Sequence, residues 1–325
     1  MDHVPCPCPC PCPCPQSGEA AGRVSSSPWA PGGVSPSKDG LAAPSKLPAG
    51  AWGFVAALLL LAACSENQTF PMREPYRPGD PGPLDCVPNL DGRIDSEELA
   101  PALGVPVSLL VNPVGTTREV DLVGQVIDER RVWDQGADYA DDQLARIEAS
   151  ELEGWWFADR FPGAEFVAPL DPAGQSVGVY VHDEAALFLL GVASASEDPP
   201  EGRTLLVYDD PIALYRFPME PGASHVSASD IRDGVLRGLP YAGRDVYEVQ
   251  VVSAGRLELP DLSFTQAMRV DVRTTVSPAA GAPVVQRQSS FLFECFGEVA
   301  RATAPMGTDT LDFTTAAELR RFSLE

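Results

Sequence analysis

From Val105 to Ala304 apolar and polar positions alternate with a period near two. Short runs rich in β-branched and aromatic residues, such as SVGVYVH (176–182), RDVYEVQVVS (244–253) and MRVDVRTTV (268–276), are separated by Gly, Pro, Asp or Asn. In the last of these, Val270 and Val272 alternate with Asp271 and Arg273, the pattern of a strand with one wet face. The expectation over 105–325 is a mainly β fold, an antiparallel meander or half-open barrel with one or two helices. The helical interval is DDQLARIEASELEGWWFADRF (141–161), where Leu144, Ile147 and Leu152 share roughly one face. A second, short helix is expected to begin at Asp95 or Ser96 and to stop at Pro101. Within the first interval Trp155, Trp156 and Phe157 form the densest aromatic cluster, read as the core side of a helix lying on a sheet. Trp133 and Tyr139 are candidates for the same cluster.

The pattern breaks upstream. Trp52–Ala63 is an uncharged apolar run preceded by Lys38 and Lys46 and ended by Leu61-Ala62-Ala63-Cys64. It is shorter than the about 20 residues a spanning helix needs, and it ends in small residues, as a cleaved export signal does. The tetrapeptide resembles the lipobox of bacterial lipoproteins. That resemblance implies cleavage before Cys64, a diacylglycerol on its sulfur and an acylated new N-terminus. Two or more acyl chains hold a protein on a membrane without spanning it. Ser65 follows the cysteine, and no aspartate marks retention at the inner membrane, so the outer membrane is favoured over the inner.

These readings divide the chain. Residues 1–46, with the repeat PCPCPCPCPC (5–14), are low complexity and are expected to precede the true start of translation. Residues 47–63 are the lipoprotein signal. Residues 64–84 are the acylated cysteine and a tether in which five prolines between Ser65 and Leu84 interrupt any helix. Residues 85–104 hold a turn and short helix, and 105–325 the β domain. The β region, through LLVYDDPIALYRFPMEPG (205–222), LELPDLSFTQAMRVDV (257–272) and SFLFECFGEVAR (290–301), resembles exported proteins with a long curved antiparallel sheet, similar to the outer-membrane lipoprotein carriers. The resemblance implies a half-open barrel whose concave face can take an apolar ligand or lipid.

Charge narrows the function. Beyond Cys64 there are 20 arginines, no lysine and 43 acidic residues, so the exported part would carry a formal charge of −23. No basic nucleic-acid footprint exists, and lysine chemistry is excluded. Cys86 and Cys295 are the two cysteines that follow Cys64. Outside the reducing cytosol such a pair is expected to form a disulfide, with two free buried thiols as the alternative.

The sharpest motif is VPNLDGRIDSEE (87–98). Against the calcium loop of EF-hands, Asn89, Asp91, the Arg93 carbonyl, Asp95 and Glu98 take ligand positions, and Gly92 takes the sharp turn. The first ligand position is Val87, which removes one carboxylate. Calcium binding therefore competes with a plain turn leading into a capped helix. Enzymatic chemistry finds little support. His182 sits at a hairpin tip, and His225 lies near no Gly-x-Ser-x-Gly elbow. Asp141-Asp142 and Asp209-Asp210 are adjacent pairs expected to point apart on strands. The expected function is a membrane-anchored lipoprotein with a non-catalytic β domain of structural or binding role. The alternatives are a carrier of an apolar ligand and a calcium-dependent adhesion protein.

Overall fold

The computed structural model describes residues 86–324. Its strands are β1 (Val107–Val111), β2 (Arg118–Glu119), β3 (Gln125–Ile127), β4 (Arg130–Asp134), β5 (Gln143–Ile147) and β6 (Ser150–Glu151). Then follow β7 (Phe166–Pro169), β8 (Ser176–His182), β9 (Ala186–Ser194), β10 (Leu205–Arg216), β11 (Ser224–Leu236) and β12 (Leu239–Glu258). The last are β13 (Ser263–Pro278), β14 (Val284–Phe293), β15 (Gly297–Thr303), β16 (Thr315–Ala316) and β17 (Glu318–Ser323). The mainly antiparallel β architecture expected from the alternation is present.

One large sheet runs in the order β5-β1-β17-β15-β14-β13-β12-β11-β10-β9-β8-β7-β6. From β7 to β15 every strand pairs with its neighbour in sequence, as in a meander. The ends of this path, β5 and β6, are separated by only Glu148 and Ala149. At about 3.8 Å per residue, Ile147 and Ser150 are within about 11 Å of each other. The sheet therefore curls until its two edges meet. They do not hydrogen-bond into a closed barrel; instead Gly104 N–H donates to the Ala149 carbonyl at 2.8 Å, covering the seam.

Register separates inside from outside, because residues directly opposite in antiparallel strands share a face. Val111, Arg320, Arg301, Ser290, Val270 and Val251 are successive cross-strand partners and all point inward. At one end the interior is filled by Val249, Val251, Met268, Val270 and Leu292, on which Ile94, Leu99 and Met219 sit as a plug. Ile94 and Met219 exchange backbone hydrogen bonds of 3.0 and 2.8 Å. The segment expected to stand before the β domain is thus built into its core. Farther along lie Phe166, Tyr180, Leu189, Tyr208, Ile212 and Ile231.

The outer face is covered twice. Val120, Leu122, Trp133 and Phe313 lie over Phe264, Phe291, Phe293 and Val299. Phe157 and Phe161 lie over Val167, Val177, Val179 and Leu205. Under these covers run buried ionic networks. Arg269 pairs with Asp271 at 2.8 Å and donates to Ser289 at 2.9 Å and to the Leu122 carbonyl. Arg321 donates to the carbonyls of Gln135 and Ala137 and pairs with Asp142.

The helix expected over 141–161 is not formed. Leu144 to Ile147 lie in β5, which pairs along β1, and Leu152 to Phe161 form turns and one short 3-10 helix at Ala158–Arg160. Residues of good helix propensity are overridden because β1 would otherwise be left as an open edge. The shorter helix forms as a 3-10 turn over Ser96–Leu99, with Asp95 and Glu98 in a capping box.

Candidate functional site

At the end opposite the plug, the curl opens into a cavity of about 780 Å3. Its walls include Val111, Gln143 and Glu318 from one side of the seam, Ser176, Val192 and Leu206 from the other, Leu236 at the end of β11 and Arg237 in the turn that follows it. Two short turns rim it, 112–115 and 171–175. The second is held by the Asp171 carboxylate, which accepts from the amides of Ala173, Gln175 and Ser176. Burial pushes the Asp171 carboxyl up, but these bonds and the Ser176 hydroxyl together hold it below its ordinary value.

One step inward on β17, Arg320 is 4% exposed. It pairs with Glu318 at 2.6 Å and reaches across the interior to donate to the Leu170 carbonyl, also at 2.6 Å. Its cross-strand partner Arg301 pairs with Glu298 at 2.8 Å, and Ser290 Oγ donates to the same carboxylate at 2.7 Å. Tyrosines complete this layer. Burial raises the Tyr180 phenol well above its usual value and pushes those of Tyr215 and Tyr247 up to about 12. They are neutral hydrogen-bonding groups at physiological pH, not bases or nucleophiles. Tyr208 donates to Asp245 Oδ2 at 2.8 Å, while Asp245 Oδ1 is buried without a partner. Burial, partly countered by the Tyr208 hydrogen bond, raises the Asp245 carboxyl above its ordinary value.

The residues singled out from sequence are scattered around this interior. Cys86 and Cys295 form a disulfide with a Cα–Cα distance of 5.6 Å, beside the plug. Cys64 lies outside the described residues. In the calcium-like loop, Asn89 Nδ2 donates to Glu98 at 2.8 Å, and Glu98 also accepts from the Asp95 amide at 2.9 Å. Asp91 Oδ1 accepts from the Arg93 amide at 3.0 Å, and the Arg93 guanidinium pairs with Asp95 at 2.7 Å. The loop carboxylates are turned onto protein donors, and a cation would have to displace Arg93 from Asp95. Among the described residues no group of three or more His, Cys, Asp or Glu is arranged to hold a metal.

His182 ends β8 with its ring centroid 5.4 Å from that of Phe217, and His225 bonds the Ala213 carbonyl at 3.0 Å. Burial lowers the His225 imidazole below its usual value, so it is neutral. Asp141 and Asp142 do not point apart. They sit in a turn, and both accept from Arg118 Nη2, at 2.7 and 2.8 Å. Trp155, Trp156 and Phe157 pack as core over β7–β10, but from turns and not from a helix. Trp133 and Tyr139 do not join them. Trp133 is under the other cover, with its ring centroid 5.1 Å from that of Phe291, and Tyr139 lies against Arg118 and Arg321.

Arg320, Arg301, Tyr180 and the cavity walls were not legible as a site. A signal exists in ELRRFS (318–323), where a charged residue occupies each face of a strand rich in buried positions, but its meaning depends on which face is enclosed. The chain matches no protein-family model, and comparison with curated proteins and with solved structures gives no match.

Proposed function

We propose that this chain is an envelope lipoprotein, tethered through Cys64, whose β domain holds a small ligand in the open end of its curled sheet and performs no catalysis. One observation carries the reading. The cavity lies at the opposite end of the strands from the disulfide and the plug, so the chain enters at Cys86 on the closed end. The cavity volume is within the about 300–1,000 Å3 of small-molecule sites, and its walls mix apolar side chains with a few polar ones, as such sites do. Tyr208, Arg301 and Arg320 are engaged in hydrogen bonds and ion pairs, which suits holding a shape more than reacting.

Two measurements test the two halves. Metabolic labelling with a fatty acid is expected to mark the wild type and not Cys64→Ala, with the label in the outer-membrane fraction. An unlabelled wild type would remove the anchor. Native mass spectrometry of gently extracted protein is expected to show a bound small molecule at one per chain, lost in Leu206→Trp, which fills the opening. A bound mass that survives that substitution would remove the cavity as its site.

A further inference from the structure

Two lines divide the curled sheet. One is the seam between β5 and β6. The other lies between β10 and β11, which are neighbours in the sheet yet form one register pair, Leu205 with Val235. Bulges account for the break. Against β9, β10 sets Tyr208, Asp209, Asp210 and Pro211 opposite Leu190 alone, and against β12, β11 sets Arg232 and Asp233 opposite Ala242 alone. Extra residues of this kind bend a strand and interrupt its ladder. Side chains fill the gap. The Ser229 hydroxyl accepts from the Asp210 amide and the Ser227 hydroxyl from the Ala213 amide, each at 2.9 Å, and His225 Nε2 is 3.0 Å from the Ala213 carbonyl. Inside, Tyr208 reaches across to Asp245 at 2.8 Å; outside, Asp209 pairs with Arg232 at 2.7 Å.

The pieces on either side of this line are built separately. Strands β7 to β10 carry the cover of Phe157 and Phe161, whereas the cover of Trp133 and Phe313 lies on strands beyond β11, so neither cover straddles the line. The cavity does. Val111, Gln143, Glu318 and Leu236 come from one piece and Ser176, Val192 and Leu206 from the other, and Leu206 and Leu236 adjoin the single register pair. We propose that the curled sheet works as two pieces that part along β10–β11, and that a ligand in the cavity, touching both, clamps them together. The line is crossed by hydroxyl contacts, by an exposed ion pair of little worth, and by the packing of Tyr208 and Ile212 with Ile231. The pairings of β13 with β12 and β14, by contrast, run without a break from Val270 to Val276. Segments held by few backbone bonds open more readily than the ladders around them, and a ligand bound only to the closed form adds its binding free energy to closure. The parting stands on the fold alone; the clamp rests on the reading of the cavity as a ligand site.

Hydrogen exchange of the full chain tests both. The amides of Asp210 and Ala213 are expected to exchange about tenfold or more faster than the amide of Val270, which lies in the unbroken ladders. Ser227→Ala with Ser229→Ala is expected to speed these two amides further, and by more than it speeds Val270. Saturation with N-phenyl-1-naphthylamine, an uncharged apolar probe whose binding is followed by fluorescence, is expected to slow Asp210 and Ala213 several-fold and to leave the β3 edge at Val126 unchanged. Protection of Asp210 and Ala213 equal to that of Val270 in the free chain would overturn the parting. Fast exchange that the bound probe does not slow would overturn the clamp alone. A probe that fails to bind, or that binds Leu206→Trp equally well, would overturn the cavity as a ligand site and the clamp with it, while the exchange of the free chain still decides the parting.

Discussion

Arg320 and Leu170 meet across the interior of the curl, Nη2 donating to the carbonyl at 2.6 Å over a separation of 150 residues. The contact joins β17 to the end of β7, on opposite sides of the seam where the sheet does not hydrogen-bond to itself. A buried guanidinium held by one carboxylate and one carbonyl acts here as the cross-tie that edge pairing would give a closed barrel.

Removing that tie strands its partners. Arg320→Ala leaves the Leu170 carbonyl and a half-buried Glu318 carboxylate unpaired, and is expected to cost about 2–4 kcal/mol. Urea unfolding should show a lower midpoint with an unchanged slope. A loss within about 0.5 kcal/mol, the range of ordinary surface changes, would show that the tie contributes nothing to closure.

The disulfide fastens the plug. Cys86 and Cys295 are 209 residues apart, and chain-entropy reasoning assigns a loop of that length up to about 5 kcal/mol. Cys86→Ala together with Cys295→Ala is expected to lower the melting temperature. Amide exchange should accelerate first at Ile94 and Met219, whose mutual backbone bonds are at this end.

Phe157 and Leu144 separate the observed structure from the helix expected of 141–161. Phe157 is fully buried under the outer cover, whereas Leu144 is 48% exposed on β5. Phe157→Ala is expected to cost about 3–5 kcal/mol and Leu144→Ala less than about 0.5 kcal/mol. Equal losses in chemical unfolding would favour a helix with both residues on its buried face.

Asp245 gives the domain a pH dependence of defined sign. Its carboxyl keeps its proton to higher pH when folded than when unfolded, chiefly because it is buried. Between the two values the folded state binds more protons, so stability falls as pH rises through that window. Asp245→Asn, which can still accept from Tyr208, should raise the melting temperature at pH 8. The gain should shrink towards zero by about pH 4, where the unfolded carboxyl also protonates. An equal gain at both pH values would assign the effect to something other than ionisation.

Much of this was legible in particular residues. Val270 and Val272 against Asp271 and Arg273 announced a strand with one wet face; both valines are in the interior, but the other face is not wet at Asp271, which is buried with Arg269 under the outer cover. The two late cysteines announced their own pairing. Asp95 announced the start of a short helix, which it caps; Glu98, read as a calcium position, instead completes the capping box. The misreadings fell where local preference and distant pairing disagree. Leu144 and Ile147 fit a helix by spacing, and β1 claimed them instead. Asp141 and Asp142 fit a strand, and Arg118 gathered both into a turn.

The sequence by itself determined the alternation of faces and hence the strands, because that period is a local property of each segment. Only the tertiary structure decided which face is enclosed, that the two edges of the sheet meet, and that Arg320, Arg301 and the tyrosines share one interior. The physical reason is that curling depends on the accumulated twist and register of many strands. Contacts such as Arg320 with Leu170 exist only after every pairing between them has been made.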